Sequence, residues 1–253
     1  MNGYATVLRK ELHEGIRTWR IWVLLGAFTL FGLVDPVITK NMPAILGSVM
    51  GDQFPIELPE TTYLDAWAQW AGDLAQLLTI VVIVVAAASV AGEVSAGTLV
   101  MPLTKPVGRV ALILAKFTAV TLLTLVSATA GTALTNGVTA VLFDGVDPVP
   151  LWSAVGVWLV LTVLLIAVTL LGSCLVTNTM AAFAIGFGGY IVLNLAGMWQ
   201  PARAYSPAGL NDAVAGLAAG GDPSLAWPVV TALVVTVAAI ALGAWSFNRR
   251  ELA

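Results

Sequence analysis

The chain has 253 residues, of which 59% are hydrophobic and 10% charged, with a net charge of −3 and a mean hydropathy of +0.94. Soluble domains carry about 25% charged residues, so a chain this poor in charge cannot cover a water-facing surface and reads as an integral membrane protein. Its single cysteine, Cys174, excludes an internal disulfide, and its single histidine, His13, leaves no basis for a His-based metal site or triad within one subunit.

The chain opens with Tyr4, Leu8, Leu12, Ile16 and Trp19 at helical spacing, and Arg9, Lys10, His13, Glu14, Arg17 and Arg20 fall between them. This predicts a basic amphipathic helix over 4–20, lying in the membrane interface as an anchor or a functional elbow. No cleavable signal peptide is expected, because the first apolar run has no small-x-small site behind it. That run, 21–38, is a retained first span with Asp35-Pro36 near its far end.

A long loop follows, from Thr39 to Asp73. It contains Pro43, Pro55 and Pro59 and is therefore not one helix. Tyr63, Trp67 and Trp70 lead into the second span, 74–91, and are expected at the interface. The third span falls within 110–143. The uncharged stretch from Pro148 to Ala202 is too long for one crossing. It divides at Thr177-Asn178-Thr179 into spans four (152–176) and five (180–199). The loop from Gln200 to Ala226 holds Ser206-Pro207, then Leu210, Val214 and Leu217, then Gly220-Gly221, the pattern of a short capped helix. The sixth span is 227–247. Trp22, Trp152, Trp199, Trp227 and Trp245 fall near span ends, where indole rings prefer the headgroup layer.

Six spans put both termini on one side. Nine of the eleven basic residues fall on that side, and only Lys40 and Arg203 on the other. The positive-inside rule makes the first side cytoplasmic and the protein a multi-pass component of the cell membrane. Polar residues punctuate the spans at Gln76, Ser127, Asn136, Ser173 and Asn194. They either bond between helices or line a path. Gly186-Phe187-Gly188-Gly189 lies inside span five, where small residues allow close helix approach. Apart from the rim residue Asp35, no span holds an Asp, Glu or His for a proton relay.

The segment from Gly92 to Val110, GEVSAGTLVMPLTKPVGRV, interrupts this apolar chain between spans two and three. Pro102 and Pro106 would break a helix there, leaving a short stiff knob suited to docking a soluble partner. The pattern of Glu93, Gly97-Thr98-Leu99, Leu103, Pro106, Arg109 and Lys116 resembles the signature of ABC-2 type transporter permeases. The Lys10-Glu11-Leu12 start of the basic helix, the six spans and the loop between spans five and six agree with it.

The resemblance implies an all-α, six-span permease of the ABC-2, type V exporter-like architecture, forming a single transmembrane domain over 1–253. It implies a dimer with a second copy or a paralogue, surrounded by membrane lipid and driven by a separate ABC ATPase subunit. The loop would be the ATPase-coupling element, with Glu93, Gly97, Thr98, Leu99 and Pro106 docking or orienting it. Arg109 and Lys116 would set its position at the membrane surface, the alternative being that both are snorkelling anchors. Export of a hydrophobic or amphipathic substrate is the expected activity. The alternative is a membrane scaffold or immunity-type protein that binds a partner without transport.

No G-x-x-x-x-G-K-[ST] loop occurs in the sequence, so ATP would be bound by the partner. No catalytic set, resident cofactor, metal or nucleic-acid partner is expected.

Overall fold

In the computed structural model, residues 2–50, 60–95 and 108–249 are described. They form α1 (Asn2–Arg17), α2 (Trp19–Met50), α3 (Tyr63–Asp73), α4 (Thr79–Ser95), α5 (Arg109–Leu142), α6 (Val149–Leu175), α7 (Thr179–Gly197), α8 (Gln200–Tyr205), α9 (Gly209–Ala218) and α10 (Ala226–Arg249). A π-helical turn, Leu74–Leu78, joins α3 to α4. There is no strand among the described residues. Six of the helical stretches are long and apolar enough to cross a membrane. Backbone groups in lipid have no water to bond, which forces each such run into a helix.

Two spans extend beyond the sequence expectation. The first helix does not stop near residue 38 but continues to Met50 through Pro36 and Pro43. Each proline removes one backbone bond, whereas unwinding the turns around it in lipid would expose many. The second begins at Tyr63, where the Asp65 carboxylate accepts from the Thr62 backbone N–H and hydroxyl and closes the first turn. Trp67 and Trp70 are consequently fully buried rather than interfacial. Trp22, Trp152, Trp199, Trp227 and Trp245 are exposed at helix ends, as their positions predict.

The break between spans four and five falls where the polar triplet predicts it, with Asn178 Oδ1 capping α7 by accepting from Ala181 N–H at 2.7 Å. The short capped helix of the last loop is α9, and Gly220 follows it at φ +79°, a conformation that costs a residue with a side chain but not glycine.

Helix α6 is the hub, packing against α4, α5, α7, α9 and α10. The π turn is shaped around it. Its widened backbone presents the Leu74 carbonyl to Trp158 Nε1 (2.8 Å) and to the Thr79 hydroxyl (2.7 Å), while the Tyr190 hydroxyl of α7 donates to the Ala75 carbonyl (2.9 Å). Helices α2 and α5 cross at paired glycines: a Cβ on Gly32 would lie 2.6 Å from the Gly131 oxygen, and one on Gly131 would lie 2.7 Å from the Phe28 oxygen. In span five, a Cβ on Gly186 would collide with Thr169 Oγ1, so that glycine sets the approach of α7 to α6. The intramembrane polar residues mostly bond within their own helices. Ser127 donates to the Leu123 carbonyl and Ser173 to that of Thr169. Asn194 also accepts from another element, through Asn211.

Candidate functional site: the N-terminal junction

At the face that holds the N-terminus, α1 lies across the start of α5 and the start of α2. Only the N-terminal half of the expected apolar stripe of α1 faces the protein, with Tyr4 and Leu8 packed against the core. Val7, Glu11 and Gly15, one turn apart, are the buried positions, whereas Ile16 and Trp19 are exposed. Gly15 receives the end of Leu123, and the Tyr4 hydroxyl donates to Thr118 Oγ1 at 2.9 Å. The face that docks is therefore centred on Val7, Glu11 and Gly15, rotated from the stripe read from the sequence.

This rotation buries a charge. Glu11 is 3% exposed, and its Oε2 accepts from Lys116 Nζ at 2.9 Å across 105 residues of sequence. Lys116 is 0% exposed, so it is not a snorkelling anchor. Its ammonium also donates to the Ser89 carbonyl of α4 at 3.0 Å. A helical carbonyl has a second lone pair, so Ser89 can take this bond and keep its place in α4. A buried pair offsets its desolvation only when further hydrogen bonds satisfy the ions, and Ser89 supplies one.

The chain of charge continues outward. Lys10 contacts Glu11 Oε1 at 3.1 Å and Glu14 at 2.9 Å, and Arg20 approaches Glu14 at 3.9 Å while donating to the Ala88 carbonyl at 3.2 Å. Cations from α2 and α5 thus hold two successive carbonyls near the end of α4, with α1 supplying the acids between them. Burial pushes the Glu14 carboxyl up, but the Lys10 hydrogen bond and the charges of Lys10, Lys116 and Arg20 outweigh it and hold the group below its ordinary 4.5. A carboxyl lowered by folding stabilises the fold above its unfolded value, and this contribution is lost as the pH falls through the folded value. The melting-temperature advantage of the native protein over Glu14→Gln is therefore expected to be constant above about pH 5 and to shrink below the ordinary carboxylate range. Thermal scans across that range check it, and an advantage that grows on acidification would refute it.

Of the residues assigned to the coupling loop, Lys116 is the one whose side-chain partners are described. Glu93 lies in the last turn of α4, and Arg109 is the first residue of α5. Gly97, Thr98, Leu99 and Pro106 lie outside the described residues. The junction binds the helix that enters this segment to the helix that leaves it. Glu11 and the Ala88 and Ser89 carbonyls were missed in the sequence. Glu11 was legible only within the Lys10-Glu11-Leu12 start of the basic helix, with no partner assigned to it, and backbone carbonyls carry no sequence signal.

A second buried acid sits farther along the spans. Asp35 is 3% exposed, buried where α2 packs on α3, and α2 continues well beyond it. Its carboxyl faces that of Asp73, at the end of α3, and its Oδ2 has no hydrogen-bond partner. Two carboxyls in contact repel when both are ionised. Replacing Asp73 with Asn supplies an N–H donor to Asp35 and is expected to raise stability by about 1 kcal/mol at neutral pH. A lowered unfolding midpoint in detergent would contradict this.

Among the described residues no group of three or more His, Cys, Asp or Glu could hold a metal. In comparison with known proteins, the sequence model of the ABC-2 family transporter proteins matches residues 5–210. That stretch includes most of α1, both helices flanking the 92–109 segment, and Glu11, Ser89 and Lys116 of the junction. No curated protein matches the chain.

Proposed function

The chain belongs to the ABC-2 transporter family and is a multi-pass permease subunit of an ABC transporter, and from that premise we propose that a separate ATPase docks on its 92–109 segment and drives export of a hydrophobic or amphipathic substrate. On this reading the N-terminal face is cytoplasmic, the membrane is the cell membrane, and the working unit pairs two permease chains with two ATPase subunits.

The observation that carries the reading is the Glu11–Lys116–Ser89 link. A motor that pulls on a short loop moves the spans only if the loop's two ends move together. The ion pair joins the end of α4, the start of α5 and the elbow helix α1 into one body, so displacement of the loop is passed to the spans rather than absorbed in a hinge. In this role Glu93, Gly97, Thr98, Leu99 and Pro106 make or shape the docking surface. Arg109 orients the exit from it, and Lys116 anchors it from within.

The uncovered faces of α2, α7 and α10 suit a second permease copy or lipid. In the most apolar windows of these spans, 33%, 11% and 28% of residues are buried, against 67% for α6. The scarcity of charge within the spans favours an amphipathic cargo over a highly charged one.

Co-purification with the cognate ATPase tests the proposal. Deleting residues 93–99 is expected to abolish ATPase capture while leaving the permease folded, and the permease alone is expected to hydrolyse no ATP. Undiminished capture by the deletion variant would overturn the docking assignment.

A further inference from the structure

At the far end of the bundle, α7, α8 and α9 border an open recess of about 240 Å³, lined in part by Asn194, Met198, Arg203, Asn211 and Asp212. A second cavity of about 270 Å³ lies beside it, and Arg203 and Asp212 form the shared wall. We propose that this recess binds the zwitterionic headgroup of a phospholipid, an ammonium and a phosphate a few bonds apart, with its acyl chains along α7. The inference needs only a membrane-embedded fold and stands apart from the transport reading.

The charges select the ligand class. Arg203 Nη1 and Asp212 Oδ2 are 3.4 Å apart, and their side chains are 52% and 57% exposed. An exposed single-contact pair contributes little and opens readily. Arg203 has further N–H donors for a phosphate, and Asp212 offers a carboxylate to an ammonium. A purely anionic ligand would be repelled by Asp212, and a purely cationic one by Arg203. A ligand carrying both charges satisfies both.

The amides orient the same recess. Asn194 donates to the Tyr190 carbonyl at 2.9 Å and accepts from Asn211 Nδ2 at 3.1 Å. This fixes the Asn211 amide and leaves its Oδ1 shielded from solvent without a hydrogen-bond partner.

Position selects a lipid over a soluble zwitterion. The recess sits at the last turn of α7, a span whose Val192, Leu195 and Met198 are exposed on the side leading to it. Trp199, Tyr205 and Trp227 are exposed nearby, and the last two meet edge to face. Such amphipathic rings sit at headgroup depth. The volume is below the usual range for a whole drug-sized ligand, about 300–1,000 Å³, and suits a headgroup whose tails remain outside.

The test is native mass spectrometry of the full chain, with phosphatidylethanolamine and phosphatidylglycerol of identical acyl chains at equal concentration. The zwitterionic lipid is expected to be retained over the anionic one by about fivefold, a little under one decade of affinity ratio. Asp212→Asn should move the preference toward phosphatidylglycerol, and Arg203→Gln should lower retention of both lipids. Both substitutions lie on an exposed pair, and unchanged thermal midpoints would show that the variants are folded. Equal retention of the two lipids by the native protein overturns the proposal whatever the variants do. Unaltered preference in both folded variants also overturns it. Displacement of the lipid by soluble phosphoethanolamine at equal concentration would assign the recess to a soluble ligand and refute the lipid.

Discussion

Replacing Lys116 with Met is expected to destabilise the protein by an amount at the lower end of about 3–5 kcal/mol, because it leaves the buried Glu11 carboxylate with only the half-exposed Lys10 as counter-charge. The ammonium contributes two contacts at once, to Glu11 and to the Ser89 carbonyl, and neither group can turn to water at this burial. Pairing Lys116→Met with Glu11→Leu removes both charges and is expected to recover most of the loss, since an apolar pair of similar volume often replaces a buried ion pair at no cost. Unfolding midpoints of the four proteins in one detergent measure the cycle. A single Lys116→Met variant within about 1 kcal/mol of native would mean that the pair does not carry the junction. The folded double variant then separates two roles. If the pair only holds the fold, the double variant assembled with its ATPase turns over ATP as the native complex does. If it transmits displacement from the loop, substrate-stimulated turnover falls while assembly is kept.

Replacing Gly131 with Val is the second large effect. The new Cβ would stand 2.7 Å from the Phe28 oxygen and 2.8 Å from the Trp70 ring, and the first of these is backbone that cannot swing aside. Overpacking usually costs about 1–3 kcal/mol, and the α2–α5 crossing belongs at the upper end because Gly32 approaches the same turn from the other side. The expected result is a strongly lowered midpoint and poor recovery from the membrane. Gly137→Val, on the same helix with open space around its Cβ, is the matched control and should be near native. Equal loss in both would point to helix propensity rather than to the crossing.

Much of the architecture was legible in residue order. The six apolar runs, the Asn178 turn, the capped α9 and the five exposed tryptophans at span ends lie where periodicity and composition put them. The errors share one origin. Pro43 reads as a loop residue by local rules, and in water it would be one. In lipid the cost of unwinding outweighs the lost bond, and α2 runs on. Asp35 lies along the continuing helix and is buried rather than standing at a helix end. Trp67 and Trp70 look interfacial by type, yet α3 packs both inside, Trp70 against Phe28 and Gly131, and Trp67 with its indole N–H donating to the Asp147 carbonyl. The candidate site was half legible. The 92–109 segment stands out because it interrupts a charge-poor chain, and Lys116 belongs to its pattern. Glu11 does not stand out, because its partner lies 105 residues away.

Residue order alone determined that this is a six-span membrane protein with a charge-bearing segment between its second and third spans. Hydropathy is a sum over a window, and lipid turns each sufficiently apolar window into a helix without reference to any other. Only the tertiary structure decided that α1 turns Glu11 inward, that Lys116 bridges it to α4, that two glycines let α2 and α5 touch, and that Asp35 meets Asp73. Those facts depend on which helices are neighbours and how each is rotated about its own axis. Rotation is set by the packing of side chains from distant parts of the chain, and no local window contains it.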